Sequence, residues 1–77
     1  MKAVREGMAK LLSRSPLTFS KREYQVDVWD NDVMVVFRQG SAVAVANRQD
    51  GTWSLCGGRE TIFRAAVRVL DGVVFEG

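Results

Sequence analysis

Seventy-seven residues make one small domain, 1–77, with a core marginal enough that a partner or second subunit would help it. An apolar fraction of 47% with a single proline excludes a disordered polar chain, and a formal charge of +2 is too small to point to nucleic acid by itself. One cysteine permits no internal disulfide and no apolar run reaches the length of a membrane span, so a soluble, cytoplasmic protein is expected.

The charge is unevenly spread. Residues 1–22 carry Lys2, Arg5, Lys10, Arg14, Lys21 and Arg22 against Glu6, a net +5. Residues 23–58 carry Glu23, Asp27, Asp30, Asp32 and Asp50 against Arg38 and Arg48, a net −3, and the remainder balances. Glu6 and Lys10 interrupt the apolar stretch a signal peptide would need, and neither repeats nor low-complexity linkers divide the chain.

Val4, Met8, Leu11 and Leu12 recur at helical spacing, which predicts an amphipathic helix over about 2–13. Pro16 disfavours helix at Ser15 and ends it, so Leu17 to Ser20 reads as an extended connection pinned by Leu17 and Phe19. Four strands follow, at about 22–30, 33–38, 41–48 and 52–57, because apolar and polar residues alternate between turn-forming groups. A two-residue turn at Asn31-Asp32 pairs Val28 with Val35 and Val26 with Phe37. Three-residue loops at Arg38-Gln39-Gly40 and Gln49-Asp50-Gly51 then keep two faces consistent. Their two-residue alternatives place Phe37 opposite Ala42 and Ala46 opposite Leu55.

In this register the expected core face holds Tyr24, Val26, Val28, Val33, Val35, Phe37, Val43, Val45, Trp53 and Leu55. The second face, half-apolar, holds Trp29, Met34, Val36, Arg38 and the alanines 42, 44 and 46. Ile62, Phe63, Ala66, Val67 and Leu70 form the stripe of a C-terminal helix over about 59–71, with Glu60 placed to pair with Arg64 and Gly72 to stop it. Val73 to Phe75 reads either as a short edge strand or as a fold back onto the core. The expected architecture is α+β, a four-stranded antiparallel meander with an N-terminal and a C-terminal helix packed mainly on one sheet face. The alternative lays the N-terminal helix across the alanine face.

No catalytic constellation emerges. Histidine is absent, which removes the commonest general base and transition-metal ligand, and Cys56 has no base to activate it. Cys56 reads as a structural cysteine packed near the sheet. Asp27, Asp30 and Asp32 lack the ligand count and downstream glutamate of a calcium loop, and Gly57-Gly58 fits neither a P-loop nor a dinucleotide fingerprint. The serines lack a base or nucleophile elbow. No enzyme, cofactor or metal site is therefore expected.

Function must then come from a surface. The second face, with Trp29, Met34 and Val36 flanked by Arg38 and Arg48, reads as a protein-binding surface for a larger partner or a homodimer, since aromatic, Met and Arg residues are enriched in interfaces. Size and the lack of catalytic residues suit a small inhibitor or regulator of bacterial or phage type, an anti-CRISPR-like inhibitor being one subclass. The alternative is a nucleic-acid-binding regulator that uses Lys2, Arg5, Lys10, Arg14, Lys21 and Arg22, with Trp29 as a stacking platform.

Overall fold

The computed structural model describes residues 9–72. They form five strands, β1 (Leu11–Phe19), β2 (Arg22–Trp29), β3 (Val33–Arg38), β4 (Ser41–Gln49) and β5 (Thr52–Gly58), followed by one helix, α1 (Glu60–Leu70). The strands pair in chain order as an antiparallel sheet, and α1 lies across one side of it, against β1, β3, β4 and β5.

The expected four-stranded meander with two helices is corrected at its N-terminal side. Residues 11–13 of the expected helix belong to β1, while residues 2–8 lie outside the described residues, as does the expected Val73 to Phe75 segment. Strand pairing explains the change: Leu17 faces Tyr24 and Ser15 faces Val26, so Leu17 closes one edge of the core at 3% exposure. Pro16 interrupts a helix but is tolerated on an edge strand, where one side of the backbone has no ladder to complete.

Each turn of the meander differs from expectation by one residue. The β2–β3 connection is a three-residue loop, with Trp29 paired to Val33 and Asp32 at φ 64° closing it; the Asp32 amide donates to the Trp29 carbonyl at 3.2 Å. The β3–β4 and β4–β5 connections are two-residue turns. Gln39-Gly40 has φ values of 53° and 83°, and Asp50-Gly51 has 55° and 79°. Positive φ at both central residues marks type I′, whose twist matches that of the flanking strands. Ser20-Lys21, joining β1 to β2, is of the same kind, at 52° and 63°.

Bulges resolve the face mixing that two-residue turns would otherwise cause. Phe37 does lie opposite Ala42, but the next pair is Val36 with Ala44, so Val43 is an extra residue in β4. Ala46 lies opposite Leu55 and Val45 opposite Gly57, which leaves Cys56 extra in β5. A bulge adds one residue to one strand and restores alternation beyond it.

The core is therefore not the expected valine face. Val26 pairs with Val36 and Val28 with Met34, so Met34 and Val36 join Tyr24, Val26, Val28, Ala44 and Ala46 under α1. Ile62, Ala65 and Ala66 are the fully buried positions of the helix, and Trp53 and Leu55 pack against the same cluster. Small side chains on both partners, Ala44 and Ala46 below and Ala65 and Ala66 above, let helix and sheet approach closely. Val33, Val35, Phe37 and Val45 take the opposite side, because one residue of register turns a whole strand over.

The chain passes from sheet to helix at Gly58, φ 102°. A β-carbon there would collide with the Val43 carbonyl oxygen and come within 2.6 Å of Ala44 Cα, whereas one on Gly57 would meet nothing. Arg59 then donates its amide to the Val43 carbonyl at 3.1 Å, which fastens the start of the helix to the β4 bulge. Urea denaturation should accordingly show Gly58→Ala destabilised by about 2–4 kcal/mol, from backbone strain and overpacking together, and Gly57→Ala within about 0.5 kcal/mol of wild type.

Candidate functional site

The sheet has two apolar faces and the described residues cover only one. On the side away from α1, strand alternation places Trp29 on β2, Val33, Val35 and Phe37 on β3, and Val45 on β4. All but Val45 are half-buried, and Val45 is 37% exposed.

An ion pair lies on the β1–β2 side of this face, where β1 is the edge strand. Arg14 on β1 and Asp27 on β2 are register partners. The Arg14 Nε and Nη2 donate to Asp27 Oδ1 and Oδ2, each at 3.0 Å, the bidentate geometry in which a guanidinium best matches a carboxylate. The two ends are unequally solvated, since the Asp27 side chain is 2% exposed and the Arg14 side chain 54%. The hydrogen bond to Asp27, and then its charge, raise the Arg14 pKa above the ordinary arginine value. Opposite charges paired in this way leave the β1–β2 side of the face polar but formally neutral.

A groove of about 880 Å³ runs from this pair toward the end of the sheet closed by Ser20-Lys21 and Gln39-Gly40. Gln25, Trp29 and Phe37 line it, with Lys21, Arg22, Glu23 and Arg38 at its end. The antiparallel meander sorts charge along the strands. Lys21, Arg22 and Arg38 gather at that end, whereas the turns at the other end bring Asp30, Asp32 and Asp50 together. Lys21, Arg22 and Arg38 make no ion pair among the described residues. At the acidic end, Arg48 Nη2 donates to Asp32 Oδ1 at 3.1 Å and its guanidinium sits 4.7 Å from the centre of the Trp53 ring, while the Lys10 amide donates to Asp30 Oδ1 at 3.0 Å.

The residues singled out as protein-binding separate accordingly. Trp29 stands on the open face and Arg38 lines its groove. Met34 and Val36, 1% and 0% exposed, lie in the core beneath α1, and Arg48 is held by Asp32 and Trp53. Among the cations considered for nucleic acid, Lys21 and Arg22 share the groove end, Arg14 is engaged by Asp27, and Lys10 immediately precedes β1 at the acidic end. Lys2 and Arg5 lie outside the described residues. Cys56, expected to pack near the sheet, is instead an exposed bulge residue. Asp27 is separated from Asp30 and Asp32 by its bond to Arg14, and no three potential metal ligands come together among the described residues.

The Arg14–Asp27 pair and the row Val33, Val35, Phe37 and Val45 are what sequence reasoning missed. One signal was present: reading Ser13 to Phe19 as a strand sets Arg14 opposite Asp27. Comparison with family models, curated proteins and solved structures finds no match, so the role of the face rests on its own geometry.

The unequal burial of the pair gives an asymmetric prediction. Arg14→Ala strands a carboxylate at a nearly inaccessible position, while Asp27→Asn leaves a guanidinium that water already reaches. Thermal denaturation should show the larger fall in melting temperature for Arg14→Ala; an equal or larger fall for Asp27→Asn contradicts the burial of Asp27.

Proposed function

We propose that this chain is a non-enzymatic protein-binding module, a small inhibitor or regulator that acts by placing its open sheet face on a protein surface. The observation that carries this is the row Trp29, Val33, Val35, Phe37 and Val45, over which no described helix or strand packs, opposite the face that α1 covers. An apolar centre with aromatic residues and a rim of Arg and Lys has the composition of an interface core and its border. Either a larger partner or a second copy of the chain satisfies such a face. The mechanism is steric, with Arg22 and Arg38 steering an acidic patch toward the groove end.

The sequence contains no histidine, the commonest general base, in keeping with a role without catalysis. No described helix is long and apolar enough to cross a membrane. A single exposed thiol suits a reducing, cytoplasmic setting.

Single-stranded nucleic acid is the second reading, favoured by Lys21, Arg22 and Arg38 lying in one groove with Trp29 and Phe37. Two facts weigh against it. The residues between those two aromatics, Val33, Val35 and Val45, are aliphatic and offer no stacking surface, and a strand laid along the sheet runs toward the end where the turns gather Asp30, Asp32 and Asp50.

Phe37→Asp separates the readings. The variant should keep its circular dichroism spectrum and lose at least tenfold in recovery of a nuclease-insensitive protein partner from the native host. Undiminished recovery contradicts the protein-binding reading. Nuclease-sensitive recovery that falls steeply with salt supports nucleic acid instead.

A further inference from the structure

We infer that β5 is a strand-addition site, where an extended peptide segment of a partner protein pairs with the free edge and sets apolar side chains into the groove between β5 and α1. The site is separate from the open face and requires nothing of what meets that face.

Backbone chemistry is its first support. β5 is the last strand of the sheet, and its ladder with β4 starts at the Gln49–Thr52 pair that closes a two-residue turn. Hydrogen-bonded and non-hydrogen-bonded pairs alternate from there, so Arg48 opposite Trp53 and Ala46 opposite Leu55 are the non-hydrogen-bonded ones. The far side of β4 agrees, since the Arg48 amide donates to the Asp32 carbonyl at 2.9 Å, away from β5. The amides and carbonyls of Trp53 and Leu55 therefore point out of the sheet, and no described backbone group meets them. Donors and acceptors spaced along an extended chain match one ligand chemistry, another extended backbone.

The two edges of the sheet are unequal. β1 carries Arg14, Pro16 and a register irregularity between Leu11 and Ser13, features that discourage pairing. Thr52 to Gly58 holds neither charge nor proline, and the Cys56 bulge interrupts the edge only beyond Leu55.

Side chains then define the segment. Residues set opposite Trp53 and Leu55 share their side of the sheet, the side of α1. Half-buried Trp53, Phe63 and Val67 line a groove there of about 430 Å³, within the roughly 300–1,000 Å³ of small-ligand sites. Large apolar residues at every second position fit it. A second copy fits less well: β5 against β5 sets about three residues a side in register, about 10 Å of strand, where a specific protein–protein interface buries about 1,000 Å² or more. A peptide that takes edge and groove together does not depend on that area.

The test selects short random peptides displayed on phage against the full chain, then measures synthetic copies by fluorescence anisotropy. Enriched peptides should carry apolar residues at every second position. Leu55→Pro removes an outward amide that the β4 ladder does not use, whereas Leu55→Ala trims the same side chain and keeps the amide. Binding should be at least tenfold weaker to Leu55→Pro than to Leu55→Ala, both with the wild-type circular dichroism spectrum. A second measurement leaves the protein unaltered: methylating the peptide's amides in one alternating set should weaken binding to wild type at least tenfold, and in the other set less than threefold. No enrichment, enrichment without the two-residue period, or binding indifferent to Leu55→Pro and to methylation overturns the inference. A wild-type dimer in sedimentation velocity that Leu55→Pro dissolves overturns it in favour of a second copy. If no peptide is enriched while Phe37→Asp still loses a captured protein, the open-face reading stands and strand addition alone is excluded.

Discussion

Register across the β2–β3 hairpin is the constraint on which the rest of the structure depends. Asp32, in the left-handed region at φ 64°, closes a three-residue loop that pairs Trp29 with Val33 and Val26 with Val36. β3 reads Val33-Met34-Val35-Val36-Phe37, apolar on both sides, so its composition does not say which side folds inward. Loop length does. With one residue fewer, Val35 and Phe37 would lie under the helix and Met34 and Val36 would face outward.

From that register follow both the core and the face left over. Ala44 and Ala46 fall opposite Val36 and Met34, presenting a low surface on which Ala65 and Ala66 of α1 can settle. The larger residues Val33, Val35, Phe37 and Val45 are left on the other side, around a buried carboxylate that tolerates its position only because Arg14 grips it through two hydrogen bonds. Among the described residues nothing packs over this row, and a continuous apolar row of this kind ordinarily meets a partner surface. Turn chemistry adds a second property, since a meander collects alternate turns at the same end and so gathers cations at one end and carboxylates at the other.

Much of this was legible in the residues, and the losses have specific causes. The amphipathic stripe from Ile62 to Leu70, stopped at Gly72, marks α1 because its period is helical and its polar face is charged. The alternation from Tyr24 to Leu55 marks the strands. Turn lengths were not legible, because Gln39-Gly40 and Asp50-Gly51 fit two- and three-residue loops alike; the bulge at Val43 carries no signature glycine, and Gly57 beside the Cys56 bulge reads equally as the turn from sheet to helix. At the N-terminal side, Leu11 and Leu12 lie at helical spacing from Val4 and Met8 but are drawn into a strand by pairing with β2, a long-range effect that local periodicity does not register. The open face was legible at Trp29 alone of its apolar residues, since the others depend on the β3 register.

The most direct test sets two neighbouring residues against each other by equilibrium urea denaturation. Val36→Asp places a carboxylate at a fully buried position beneath α1, and should leave the chain unfolded without denaturant. Val35→Asp, one residue earlier on the open face, should retain a cooperative transition. The reverse outcome, with Val35→Asp unfolded and Val36→Asp cooperative, would mean that β3 is turned over and that the proposed interface is the core.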